Sequence, residues 1–170
     1  MKGFIKVFIV CFFLVSLGCS KIDDADNNVV EYPISDMGYV EIVYENKKIV
    51  LQNSIYIFVF NNRLQFNAKN CYEKIQVGLS VPLTIGTHAF DPDSVYGNFY
   101  IGENWKCTEE YIKDLFSDTY KDRFIASSGF IKIEEITSEK VKGTFSFSGY
   151  TLENVHRTVS ITDGRFDLKI

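Results

Sequence analysis

The chain has 170 residues, 46% of them hydrophobic, and its 22 acidic against 18 basic residues give a net charge of −4. That length suits one domain with a sizeable core. The acidic balance argues against nucleic acid, which is bound through basic patches, and against a basic membrane-binding face.

Lys2 and Lys6 precede an apolar run from Val7 to Leu17. The run is too short to span a bilayer, which takes about 20 residues, but it suits the core of a secretory signal. It ends in Ser16-Leu17-Gly18-Cys19. A cysteine directly after a small residue is where a bacterial lipoprotein signal is cut, and the new terminal cysteine then carries acyl chains such as palmitate. Residues 1–18 are therefore expected to be a lipoprotein signal peptide, with Cys19 as the lipidation site. The alternative is an ordinary secreted protein cut near Gly18. Cleavage would remove two basic and no acidic residues, raising the acidic excess from four to six. Membrane attachment would then rest on lipid, and several acyl chains hold where one is marginal.

Residues 19–28 (Cys-Ser-Lys-Ile-Asp-Asp-Ala-Asp-Asn-Asn) are polar and acidic. They bury too little surface to offset ordering entropy and read as a flexible tether. Acidic residues just after the lipidated cysteine also resemble the surface-export signal of Bacteroidota lipoproteins; the alternative is a plain tether with the domain facing the periplasm. Residues 29–170 form the expected single domain.

Period-two alternation runs through that domain. Tyr39–Tyr44, Ile49–Leu51, Ser54–Phe60, Arg63–Ala68, Ile75–Leu79, Gly86–Phe90 and Val95–Ile101 read as strands. Glu45-Asn46-Lys47 and Asn61-Asn62 supply turns, since Asn tolerates positive φ. Thr108 followed by Glu109 and Glu110, with apolar residues at helical spacing up to Phe116, predicts one short helix. Phe124–Ile136 and Lys142–Gly149 follow as strands, the second with Phe145 and Phe147 on one face. Asp163-Gly164 predicts a hairpin between Thr158–Ile161 and Arg165–Ile170. About ten strands with short turns and one short helix indicate an all-β fold, an antiparallel sandwich or barrel-like domain.

The cysteines sort by position. Cys11 leaves with the signal and Cys19 is the lipid site, which leaves Cys71 and Cys107 as an even pair in an oxidising compartment. A disulfide closing about 36 residues would stabilise by roughly 4 kcal/mol in the chain-entropy model. The alternative is two buried thiols. No Cys-x-x-Cys is present, so no metal or other cofactor is expected.

No catalytic set stands out. His88 and His156 are the only histidines, and no Gly-x-Ser-x-Gly elbow accompanies them. Asp91-Pro92-Asp93 offers oxygen ligands for calcium but has the chemistry of a plain turn. Glu134 and Glu135 alternate faces on a strand and so cannot work as a pair. Glu103 beside Trp105 lacks a second carboxylate of the kind glycosidases use. Tyr96, Phe99, Tyr100, Trp105 and Tyr111 cluster around Asn98, Glu103 and Asn104. Aromatics beside amides suit a glycan or protein contact, and these five are the candidate binding surface.

Gly129-Phe130-Ile131-Lys132-Ile133, Gly143-Thr144-Phe145-Ser146-Phe147 and Val159 to Leu168 resemble a family of small β-rich Bacteroidota lipoproteins known only as a domain of unknown function. Val81 to His88 is similar to that family's mid-chain strand and turn. The likeness spans roughly residues 70–170 and is strongest over 129–170. It implies a β-rich, lipid-anchored cell-envelope protein and supplies no catalytic residues; the expected location is the bacterial outer membrane. The expected function is thus a non-enzymatic binding or accessory module of the cell envelope, anchored by acyl chains, with a glycan or protein partner. The alternatives are a lipocalin-like carrier of a small apolar ligand and, third, an envelope hydrolase.

Overall fold

The computed structural model describes residues 34–91, 93–104, 119–151 and 157–170. The expected signal, tether and short helix, and with them Cys19, Trp105, Cys107, Tyr111 and His156, lie outside the described residues. So does the hinge of the Asp91-Pro92-Asp93 turn, Pro92.

The strands are β1 (Gly38–Tyr44), β2 (Lys47–Leu51), β3 (Ser54–Phe60), β4 (Arg63–Asn70), β5 (Ile75–Pro82), β6 (Gly86–Ala89), β7 (Tyr96–Asn104), β8 (Thr119–Ile136), β9 (Lys140–Thr151) and β10 (Thr158–Lys169). All ten belong to one antiparallel sheet, in the order β2-β1-β10-β9-β8-β7-β5-β4-β3, with β6 beside β8. The sheet curls into a half-barrel, so of the two all-β architectures the barrel-like one is realised.

Local chemistry explains the tight turns. Glu45 and Asn46 take φ of 50° and 61°, and Asn61 and Asn62 take 49° and 57°. Two left-handed residues make the turn whose twist matches the flanking strands. The expected hairpin at Asp163-Gly164 is absent: β10 runs straight through it. Its register on β9 steps from Ile161↔Phe147 to Gly164↔Phe145, leaving one extra residue, a bulge. Asp163 takes φ of 50° there. Gly164 is required because a Cβ would lie 2.6 Å from the Phe145 ring. Residues that signal a turn locally also build a bulge when strands on both sides hold the chain extended. Here β1 and β9 do so.

The concave face carries the core. Phe66, Phe145, Phe147, Phe99, Leu64, Ile131 and Ile161 are fully buried. Their rings interlock, with centroids 5.2 Å apart for Phe66 and Phe166 and 6.4 Å for Phe145 and Phe166. Such tilted aromatic contacts add to the burial of area. The interior of the curl is thus filled by side chains.

The two ends of the strand order meet different fates. β2 lies against the end of β4: Asn70 Nδ2 donates to the Val50 carbonyl at 2.8 Å, and the Asn53 N–H donates to the Lys69 carbonyl at 3.1 Å. β3, beyond β4, is the last strand.

Candidate functional site

Three regions have the makings of a contact site. The first is the aromatic cluster expected from the sequence, which the pleat divides. Phe99 points inward and is fully buried, ringed by Tyr44 at 4.9 Å and Phe124 at 6.0 Å. It belongs to the core and leaves the candidate binding surface, because a strand sends residues 99 and 100 to opposite faces. Tyr96 and Tyr100 do share the convex face. The Tyr100 and Tyr120 rings meet at a tilt with centroids 4.6 Å apart, and the Arg123 guanidinium sits 5.6 Å from the Tyr100 ring centroid. Burial pushes the Tyr100 hydroxyl up, against the pull of Arg123.

Tyr120 and Arg123 are members of this patch that sequence reasoning missed. Their signal is register: Tyr100 pairs with Arg123 across β7 and β8, and with Gln76 across β5, which in turn faces Lys69. The row Lys69-Gln76-Tyr100-Arg123 therefore crosses four strands on one face. Lys69 is fully buried and Gln76 nearly so. The Gln76 amide nitrogen donates to Asn67 Oδ1 at 3.3 Å, while its Oε1 has no hydrogen-bond partner among the described residues.

The second region is a cleft of about 370 Å³ at one rim of the curl. Ile49, Ile75 and Ile101 make its floor, and Tyr44, Lys47 and Glu73 its wall. Lys47 Nζ donates to Glu73 Oε1 at 2.6 Å. Behind Tyr44 the buried carboxylate of Asp122 takes a two-pronged bond from Arg157, with Nη2 to Oδ2 at 2.7 Å and Nη1 to Oδ1 closer still. A buried carboxylate needs such a partner. Burial, seconded by Glu45, pushes the Tyr44 phenol up to about 12. At neutral pH it is a hydroxyl donor.

The third is an apolar cleft of about 280 Å³ at the other rim, lined by Met37, Ile57, Val59, Ser138 and Ile170. It runs beneath β3. On the convex side Phe58 and Phe60 are 47% and 60% exposed, and their rings stack at 5.9 Å.

The remaining candidates have structural partners. His88 Nε2 lies 2.9 Å from the Thr84 carbonyl and ties down a turn. Asp91 caps its own turn: Oδ1 accepts from the Asp93 N–H at 3.1 Å and Oδ2 from the Ser94 hydroxyl at 3.0 Å. Glu134 pairs with Lys132 and Glu135 with Lys140, each at 2.9 Å. Cys71 is buried, and its N–H donates to Asn53 Oδ1 at 3.0 Å. Among the described residues no group of three His, Cys, Asp or Glu side chains is placed to hold a metal, and no helix is long and apolar enough to cross a membrane. No protein-family model, curated protein or solved structure matches this chain.

Proposed function

We propose that this chain is a lipid-anchored protein of the bacterial outer membrane, with the β domain facing outward as a non-enzymatic binding or accessory module. The observation that carries the proposal is the apolar run ending in Gly18-Cys19 and followed by an acidic tether. The resemblance to small Bacteroidota lipoproteins points the same way. The filled concave core favours contact at rims and edges over carriage of a ligand inside the curl. A carrier needs an interior left open for its cargo, and here Phe66, Phe145 and Phe166 occupy it.

The test is membrane fractionation and protease shaving of intact cells, with Cys19→Ala beside the parent. The proposal expects a membrane-bound parent cleaved from outside and a Cys19→Ala variant released from the membrane. A parent as soluble as the variant overturns the anchor; a bound but protected parent overturns the outward orientation.

A Cys71–Cys107 bridge belongs to the same proposal, since an exported domain matures under oxidising conditions. Cys71→Ser is then expected to cost about 2–5 kcal/mol. A melting temperature unmoved by reductant would count against the bridge.

A further inference from the structure

We propose that two copies of this chain join edge to edge through β3, antiparallel, about a two-fold axis at Ile57. The inference does not depend on the membrane anchor.

It starts from which backbone groups β3 leaves open. Asn61 and Asn62 form a two-residue turn, so Phe60 and Arg63 flank it as a pair that exchanges hydrogen bonds. Bonded pairs recur every second residue in an antiparallel ladder. Phe60, Phe58, Tyr56 and Ser54 therefore spend their N–H and C=O groups on β4. Ile55, Ile57 and Val59 direct theirs to the other side, where no backbone partner lies among the described residues. The same reasoning applied to β2 sends the groups of Lys48, Val50 and Gln52 outward. There the Val50 and Gln52 carbonyls are taken, by Asn70 Nδ2 and by the Ser35 N–H. The agreement at β2 supports the assignment at β3.

The open strand is complementary to itself. Its sequence, Ser-Ile-Tyr-Ile-Phe-Val-Phe, has no charge and no proline. It therefore lacks the devices by which edge strands are normally protected. About the two-fold, Ile57 meets Ile57, Ile55 meets Val59, Tyr56 meets Phe58 and Ser54 meets Phe60. The groups left open fall opposite one another, giving about six interchain hydrogen bonds. Aromatic residues face each other on the convex side and β-branched residues on the concave side, the cross-strand pairs that stabilise sheets. No like charges are opposed. The apolar clefts under the two β3 strands, each with Met37 and Ile170, come to adjoin across the axis.

Growth stops at two copies. An isologous contact uses the same patch on both partners and so consumes itself. The other end of the sheet, β2, carries Lys47 and Lys48, each already in an ion pair.

The test is oxidative cross-linking of the full chain in intact expressing cells, with copper phenanthroline and the parent chain as blank. Facing residues of a bonded pair lie about 5.5 Å apart at Cα, within reach of a disulfide. Ile57→Cys should give a covalent dimer absent from the parent. Phe58→Cys alone should give none, because its own copy is diagonal in this register. Tyr56→Cys co-expressed with Phe58→Cys should give the mixed dimer. Val59→Pro removes one outward N–H while leaving the β4 ladder whole. Combined with Ile57→Cys it should abolish the cross-link, and alone it should halve the particle mass in mild detergent. Equal cross-linking by Phe58→Cys would overturn the proposal. So would a folded Ile57→Cys chain, judged by near-UV circular dichroism, that stays monomeric or links only to a different protein.

Discussion

β2 and β3 are joined by only Gln52 and Asn53, yet they finish the sheet in opposite ways. β2 is five residues long and begins with two exposed lysines; its Val50 carbonyl accepts from Asn70 Nδ2, and just past the strand the Gln52 carbonyl accepts from the Ser35 N–H. β3 is seven residues long, uncharged and rich in exposed aromatics. A backbone edge buried by the protein itself needs side-chain donors at particular positions, and β4 supplies one in Asn70. An edge left apolar keeps its hydrogen-bonding capacity for something else. The contrast separates closing a fold from offering a surface, although both edges lean on the same strand.

That shared strand gives the largest expected effect. Phe66 on β4 lies opposite Ile57 on β3 and Leu79 on β5 and packs on Phe166 of β10. Phe66→Ala should cost about 3–5 kcal/mol by leaving a cavity in a packed core, read as a shift in the urea midpoint. A loss under 1 kcal/mol would mean that the concave face is not the core. Next comes the tie itself. Asn70→Ala strands the Val50 carbonyl and also removes the Oδ1 that accepts the Glu73 N–H at 2.9 Å. The expected cost is about 1–3 kcal/mol, with faster hydrogen exchange along β2. An unchanged β2 would mean that the lysines alone protect it.

Local chemistry was legible in the sequence; choices made between distant strands were not. Asn61-Asn62 gave away its turn because positive φ is a property of the residues themselves. Asp163-Gly164 carries the same signal and is a bulge, because β1 and β9 hold β10 extended there. Ser54–Phe60 reads from sequence as a strand, but nothing in Ile-Tyr-Ile-Phe-Val-Phe marks one side as wet. Its place at the end of the sheet follows from the strand order, which alternation cannot supply. The candidate surface failed at Phe99 for a reason that was available, the parity of a strand. It missed Tyr120 and Arg123 for one that was not, the register of β7 on β8.

A smaller effect tests the rim that β2 helps to build. The Tyr44 phenol is raised to about 12, first by burial and then by Glu45. Its folded value lies above the unfolded one near 10, so its contribution is complete below pH 10 and is lost as pH rises toward 12. Melting temperatures recorded from pH 9 to 12 should fall more steeply for the parent than for Tyr44→Phe. Parallel curves would mean that the hydroxyl is as well hydrated in the fold as outside it.

The smallest effect is expected on the uncharged edge strand. Phe58 is 47% exposed and faces Gln65 across the β3–β4 ladder. Phe58→Ser removes little buried area and leaves every β4 hydrogen bond in place. In dilute monomer its stability should stay within about 0.5 kcal/mol of the parent, as for other surface changes. In concentrated samples the parent alone should gain stability with concentration, because association favours the folded state. Loss of that dependence in Phe58→Ser, at unchanged monomer stability, would show that the aromatic row serves contact between chains and not the fold. A loss of 2 kcal/mol or more in dilute monomer would place the row in the core after all, and the difference between the two edges would then be one of degree.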